Sequence, residues 1–550
     1  MTANPLDDPF YYLNNFMQVL DWLELRYADL LSDAEQDFIQ DCKCLPRESR
    51  ALLVRMVMRK GIHFRASKLH YLEIGDTAAA IAPLLELGWV DAHLPLSVET
   101  LFEVLLKAEI VQCFADVIEQ PKGKKTDWLP VLIEQFPEAR RFSDWCPTLD
   151  ERLFSLTVMD LCDRLRLMFF GNLYQDWSEF VLADLGIFTY EKVEFCADSR
   201  GLRTREDVDA CLYLYQCQQQ FEAGVALPDV VAQLHGLELD NPWLQRRRDK
   251  LLFQMAQHCE RIADFATALS LYRECAYPGA RQRLIRVLER SGEYALALEL
   301  ACQAEQAPES AAEQQQLLRM MPRLRRKLGG PPIKRTPARD MQRLDLELPR
   351  TDLALSVEFH VQAHLTEDAA PVHYVENSLI NSLFGLLCWP AIFAPVPGAF
   401  FHPFQRGPVD LLSEDFHGRR AELFEACLAE LDDGRYRQTI RERYASKWAI
   451  QSPFVFWGVL SEELLDQALE CLPAEHLRHW FHRLLLDIKA NRAGMPDLIQ
   501  FWPQEKTYRM IEVKGPGDRL QDNQLRWLEF CHEHRMPIAV CYVQWSEPAT

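Results

Sequence analysis

Arg492-Ala-Gly-Met-Pro-Asp497-Leu-Ile-Gln-Phe501, followed by Arg509-Met-Ile-Glu512-Val-Lys514-Gly-Pro-Gly-Asp518, is the stretch that decides how the end of this chain folds. Strand-forming residues flank both acidic positions, and a polar break holding Pro503 and Lys506 separates them. The segment therefore predicts a β-hairpin with Tyr508 to Lys514 as its second arm. Alternate residues of a strand face the same way. Glu512 and Lys514 then share one face, Val513 packs on the other, and Asp497 at the head of the first arm lies beside them. Two carboxylates and an ammonium at the end of a buried hairpin are costly unless a cation or an anionic substrate fills the gap.

A Mg²⁺ or Mn²⁺ ion takes hard oxygen ligands and keeps several waters, so two or three carboxylates and one backbone carbonyl, here that of Val513, suffice to hold it. One or two such ions would activate water and neutralise charge on a scissile phosphate. Lys514 would orient the attacking water or steady the phosphorane. Without an ion, neighbouring carboxylates raise one another's pKa. An isolated Glu-Val-Lys on a strand is more often a half-exposed edge. Here it is not isolated: Gly494 and Pro496 shape the entry, and a helix carrying Gln524, Arg526 and Trp527 follows. Gln524 is a candidate to touch a water or a phosphate from that helix. The pattern points to metal-dependent phosphodiester hydrolysis.

Arg492-x-Gly494-x-Pro496-Asp497-Leu498, Glu512-Val513-Lys514-Gly515-Pro516-x-Asp518-x-Leu520 and Gln524-x-x-Trp527-Leu528 resemble the virus-type replication-repair nuclease domain, a branch of the restriction-endonuclease-like superfamily. A second set comprises Glu376, then Leu383-x-Gly385-Leu386-Leu387-x-Trp389, Phe401-x-Pro403-Phe404-Gln405 and Pro408-x-Asp410-Leu411. It makes the chain similar to the Fanconi-associated nucleases. The resemblance is dense from about Val375 to Val543. It implies that a helix opening the nuclease domain donates Glu376 to the metal, beside Asp497, Glu512 and the Val513 carbonyl. The implied catalytic set is Glu376, Asp497, Glu512, Lys514 and Gln524. Also implied are cleavage of 5′ flaps and of branched or nicked duplex DNA, a 5′ to 3′ exonuclease activity, and a role in repair of interstrand crosslinks. Two alternatives stay open, because fold alone does not fix function. One is a nuclease of the same fold that prefers four-way junctions, and the other is a non-catalytic helical adaptor.

The chain has 550 residues, 48% of them hydrophobic, enough for several domains with real cores. No apolar run reaches the roughly 18 residues of a membrane span, and Met1-Thr-Ala-Asn-Pro-Leu-Asp-Asp8 lacks the regions of a secretion signal. A cytoplasmic or nucleoid-associated protein with no membrane partner is expected. The 16 cysteines are scattered through apolar helical segments, as small hydrophobes are in a reducing compartment. Cys42-x-Cys44, and Cys211 with Cys217, lack a second pair at zinc spacing, so neither a zinc site nor a zinc-bearing ubiquitin-binding module is expected. The net charge of -21 opposes nucleic acid only on average. What matters is where the cations lie.

The predicted architecture is multidomain and mainly α, with helical N-terminal and repeat domains before a C-terminal α/β restriction-endonuclease-like domain. Residues 1–90 read as a winged-helix-like domain. In it Phe10, Leu13, Phe16, Met17 and Leu20 recur at helical spacing. Gly61 is expected to end a helix, while Arg55, Arg59, Lys60 and Arg65 either meet phosphates or form surface ion pairs. Residues 91–145 read as two helices, the first capped by Ser97 and the second from about Asp127 to Phe136. Lys122, Lys124 and Lys125 sit between them, and the arrangement resembles a SAP-type DNA-binding module. Residues 146–328 read as helical and repeat-like, because Ala263-Asp-Phe265-Ala-Thr-Ala268-Leu and Gly292-Glu-Tyr294-Ala-Leu-Ala297-Leu are copies at near-tetratricopeptide spacing. Arg246, Arg247 and Arg248 would add a basic rim. Residues 329–345 are the linker by composition, and 346–550 the nuclease domain. In that last domain Asp345 to Gln362 supplies an edge strand or cover, and Pro537 to Val543 a strand beside the hairpin. With Arg492, the cations named in the first two domains are the candidate DNA-binding residues.

Overall fold

The computed structural model describes residues 8–118, 120–175, 177, 188–331, 342–349 and 355–546. They fall into two units, residues 1–188 with 202–212, and residues 189–201 with 213–550. Of the stretch read as a linker, residues 332–341 lie outside the described residues.

In the first unit the apolar spacing produces the Tyr11–Tyr27 helix, which buries Leu13, Phe16, Leu20 and Leu23. Ser32 and Glu35 close a reciprocal cap on the Asp33–Cys44 helix, satisfying two backbone N–H groups that the first turn leaves open. The Arg47–Val57 helix is buried along most of its length. It ends short of Gly61, which instead turns the chain, at φ +85°, into strand β1 (His63–Arg65). Strand β2 is Val90–Asp91.

The reading of residues 146–328 as helical fails, among the described residues, at the irregular stretch 188–204 and, more consequentially, near its start. Leu153–Leu156 is a strand, β3, buried at all four positions. It pairs antiparallel with β1 (Phe64 opposite Phe154) and with β2 (Val90 opposite Leu156), giving the order β1-β3-β2. Four apolar-biased residues in a helical neighbourhood carry too little periodicity to declare a strand. Their partners lie far upstream. Between β2 and β3 the chain forms the Val98–Val104, Lys107–Cys113 and Lys125–Gln135 helices around a core of Leu101, Phe114, Trp128, Leu132 and Trp145. Ser97 caps the first of them as expected.

In the second unit the paired copies become antiparallel helices: Pro242–Arg261 with Phe265–Glu274, then Ala280–Ser291 with Tyr294–Gln306, then Ala311–Lys327. Ala268, Ala297 and Ala301 have no exposed surface, so the small side chains do let the helices stack closely. The cations read as a basic rim are engaged locally. Arg247 stacks on Trp243, Arg246 reaches the Leu412 carbonyl, and Arg248 meets Asp249.

The same unit holds a five-stranded mixed sheet of order β4-β8-β7-β6-β5. Its strands are β4 (Gln342–Pro349), β5 (Val372–Tyr374), β6 (Leu498–Trp502), β7 (Thr507–Lys514) and β8 (Ile538–Ser546). β6 and β7 are the expected hairpin, with Leu498 opposite Ile511, and β8 lies parallel to β7. β4 supplies the expected edge, parallel to β8, but it begins at Gln342, inside the stretch read as a linker, and the expected stretch ends in the Val357–Leu365 helix. The sheet separates two cores. Leu498, Ile511 and Val513 pack with Val361 of the Val357–Leu365 helix, whereas Ile499 and Met510 join a larger core with Leu383 and Trp480. None of the sixteen cysteines is in a disulfide, and most are buried. Among the described residues no helix is long and apolar enough to cross a membrane.

Candidate active site

Register and alternation together assemble the acidic set. One step beyond the Leu498–Ile511 pair, Asp497 stands across from Glu512, and the Val513 N–H donates to Asp497 Oδ2 at 2.7 Å. In a strand a residue's N–H and C=O leave by the same edge. The Val513 carbonyl therefore opens toward Asp497, past the point where β6 has ended. Glu512 and Lys514 share the face opposite Val513, with Lys514 Nζ 2.7 Å from Glu512 Oε1. That approach lacks hydrogen-bond angles, and neither oxygen of the Glu512 carboxyl takes a hydrogen bond.

Glu376 arrives from the other side. The Val375 N–H donates to the Asp497 carbonyl at 2.8 Å, which continues the pairing of β5 with β6 and brings residue 376 to the hairpin. Glu376 is not on a helix, as the resemblance implied. It lies in the turn between β5 and the Leu379–Leu387 helix, because Asn377 takes φ +51°, a left-handed conformation that interrupts a right-handed helix. Its carboxyl is exposed and accepts from Tyr374 Oη at 2.5 Å and from Asn377 Nδ2 at 3.1 Å.

Burial dominates the electrostatics. Glu512 has no exposed surface, Asp497 is 6% exposed and Lys514 is 7% exposed. Burial, reinforced by Asp497 and opposed by Lys514, pushes the Glu512 carboxyl up to about 8. Asp497 is pushed up to about 6 by burial and by Glu376, against the Val513 N–H that favours its charged form. Tyr374 is raised by burial and by its bond to Glu376. These are the mutual shifts expected of carboxyls crowded at low dielectric. Among the described residues no three His, Cys, Asp or Glu side chains already close around one point. Glu376 is held at the rim by Tyr374 and Asn377 instead.

Gln524 has its amide oxygen engaged elsewhere. It accepts from the Gln521 N–H at 2.8 Å, as the first-turn partner in the cap of the Asp522–Glu533 helix. A Gln three residues after a polar cap position carries that signal in the sequence. Arg492, half-buried, donates to the Pro453 carbonyl at 3.1 Å. Gly494 has φ +89°, and a Cβ there would meet the Asn523 side chain at 2.8 Å, which explains a glycine at the hairpin entry. Asn377 and Asn381 were not singled out by the sequence, where no spacing marks a turn residue that bonds a neighbour.

The basic candidates of the first unit separate into two groups. Arg55 pairs with Glu73 at 2.6 Å and lies 3.8 Å from the Tyr12 ring centre. Arg65 pairs with Glu109 at 2.7 Å and Glu151 at 3.0 Å. Lys125 donates to the Phe102 and Leu105 carbonyls, at 2.8 and 2.6 Å, at the end of the Val98–Val104 helix. These three are spent on the fold. Lys60, Lys122 and Lys124 are exposed, as is Arg59, which donates to the Lys68 carbonyl.

Profiles described as "VRR-NUC domain", "FAN1, HTH domain" and "Fanconi anemia-associated nuclease SAP domain" match residues 431–545, 10–91 and 95–145. A relative from Pseudomonas aeruginosa named "Fanconi-associated nuclease 1 homolog" is 59% identical over 98% of this chain and 97% of its own length. Two solved structures of paFAN1, one bound to 2-nt and one to 1-nt 5′ flap DNA with a gap, share 59% identity with this chain. Their TM-scores are 0.91 and 0.90, they cover 98% of this chain, and 99% and 100% of their own chains are covered.

Proposed function

This chain belongs to the Fanconi-associated nuclease family, and from that premise we propose that it is a structure-specific DNA nuclease that hydrolyses phosphodiesters at 5′ flaps and related branched duplexes. Its centre is the group formed by Glu376, Asp497, Glu512, Lys514 and the Val513 carbonyl. The observation that carries this reading is Glu512, a fully buried carboxyl with neither oxygen hydrogen-bonded, between Asp497 and Lys514. Such a group fits the donor set of a hard divalent cation. One or two Mg²⁺ or Mn²⁺ ions, when bound, supply water activation and charge neutralisation at the phosphate. The chain's own residues do the rest. The Val513 N–H fixes Asp497 Oδ2 and leaves Oδ1 available to the site. Lys514 holds a cation on the same strand face, where it meets the non-bridging oxygens as charge develops. The 5′ to 3′ exonuclease activity and the role in crosslink repair belong to the same reading.

The experiment is cleavage of a labelled 5′ flap by Asp497→Ala and Glu512→Ala across a Mn²⁺ titration. Each variant should lose about a thousandfold in rate, the several kcal/mol that such charge stabilisation supplies, while binding the flap with near wild-type affinity. Wild-type rates in either variant would remove the assigned centre. A panel of flaps, nicked duplexes and four-way junctions fixes the preference, and faster cutting of junctions than of flaps would overturn the flap assignment.

A further inference from the structure

We propose that Asn377 is a positioning residue that clamps the Glu376 carboxylate to the backbone leading into Asp497, and so sets the strength with which the site holds its divalent ion. The inference rests on the reading of Glu376 as a metal-binding carboxylate. One amide side chain makes both ends of the clamp. Nδ2 donates to Glu376 Oε1 at 3.1 Å, and Oδ1 accepts from the Met495 N–H at 3.0 Å, two residues before Asp497. The backbone of Asn377 is pinned as well. Its carbonyl accepts from Asn381 Nδ2 at 2.8 Å, and the same nitrogen donates to the Arg492 carbonyl at 2.9 Å. Asn381 is 1% exposed, so this brace sits inside the protein. Tyr374 takes the second oxygen of Glu376, leaving the carboxylate one donor on each oxygen and lone pairs on both for an ion.

The backbone supports the same conclusion. Asn377 has φ +51°, a region that glycine occupies without strain and other residues reach at a cost. Asparagine is enriched there because its short amide bonds locally. At this position the amide bonds the one exposed member of the acidic set. Glu512 is fixed by burial on its strand and Asp497 by burial and the Val513 N–H, whereas Glu376 sits in a turn and would sample several rotamers without its two donors. Partners that orient a ligating carboxylate are worth about 10- to 100-fold in metal affinity.

The test uses Asn377→Gly, which keeps the left-handed backbone and deletes only the amide. Free Mn²⁺ is titrated into the full chain and followed by its electron paramagnetic resonance signal, without DNA. The variant should bind Mn²⁺ about tenfold more weakly, hold 5′ flap DNA at wild-type affinity, and regain the wild-type cleavage rate at saturating Mn²⁺. A general loss of folding would also weaken the hold on 5′ flap DNA, which this variant should keep. Glu376→Gln is measured alongside. If it weakens Mn²⁺ binding while Asn377→Gly does not, the clamp is overturned and the site reading stands. If Glu376→Gln binds Mn²⁺ as tightly as wild type, the assignment of Glu376 fails and the clamp with it.

Discussion

Burial and Asp497 lift the Glu512 carboxyl to about 8 against the opposing ammonium of Lys514, so with no divalent ion bound the fold favours its protonated form at neutral pH. Its ordinary value is 4.5. Between those two the folded chain holds a proton that the unfolded chain has released, so stability is greatest below about pH 4.5 and is lost as pH rises toward about 8. Chelated protein should therefore show a thermal midpoint that falls between about pH 5 and about pH 8, with Asp497, lifted to about 6, contributing to the lower part of the fall. Glu512→Gln should flatten it. Added Mn²⁺ should raise the wild-type midpoint more at pH 8 than at pH 5, because the ion replaces the proton. An equally steep fall in Glu512→Gln would remove Glu512 as the source. At this scale the sequence was readable where a regular strand made neighbours predictable: alternation alone put Glu512, Lys514 and Asp497 together. It was not readable where one side chain chose between partners. Gln524 became a helix cap, and Arg55 went to Glu73, eighteen positions away in a direction that no periodicity encodes.

Among elements, the hairpin shows how little sequence a strand needs when a break and an alternating pattern coincide. β6, β7 and β8 were all visible, whereas β3 was not, because a four-residue run has meaning only beside β1 and β2. The Glu376 turn illustrates the other failure. The apolar run from Leu379 reads as a helix and invites the preceding residues into it, but Asn377 leaves the right-handed region first. Gly494 makes the corresponding demand on the hairpin. Gly494→Ala would impose a left-handed alanine, at about 1–3 kcal/mol, and press a methyl group against Asn523. Its thermal midpoint should drop and its cleavage rate with it. A variant with an unchanged midpoint would show that the entry segment relaxes without cost. The Ala311–Lys327 helix is tied to the helix behind the hairpin by Arg319 on both oxygens of Asp522, and by Gln315 on the Asp522 carbonyl. Those partners lie about two hundred residues apart, and nothing in either local sequence names the other.

For the molecule as a whole, a net charge of -21 is compatible with DNA binding because the sign reverses locally. Between Arg319 and Arg350 ten basic residues stand against three acidic ones. In the first unit the ion pairs of Arg55 and Arg65 take those two out of reach, while Lys60, Lys122 and Lys124 stay exposed. Charge reversal of each of these three should weaken flap binding and lower the slope of log affinity against log salt by about one per lost phosphate contact. Arg55→Gln should lower the thermal midpoint and leave that slope alone. A slope unchanged by all three lysine reversals would place the first unit outside the DNA path. A mainly helical N-terminal region and the sense of the C-terminal fold were legible from periodicity and motif, while the sharing of one sheet by residues 63 and 155 was not.

That shared sheet has a consequence for how the protein is made. β1 and β2 do not touch each other, since β3 lies between them. At bacterial and eukaryotic synthesis rates the ribosome needs about 5 to 20 seconds to travel from residue 65 to residue 156. Throughout that interval β1 waits for a partner that has not been translated, joined from residue 91 by β2. The helical insert between β2 and β3 emerges during the wait. A fragment ending at residue 91 would carry both outer strands and lack the one that joins them.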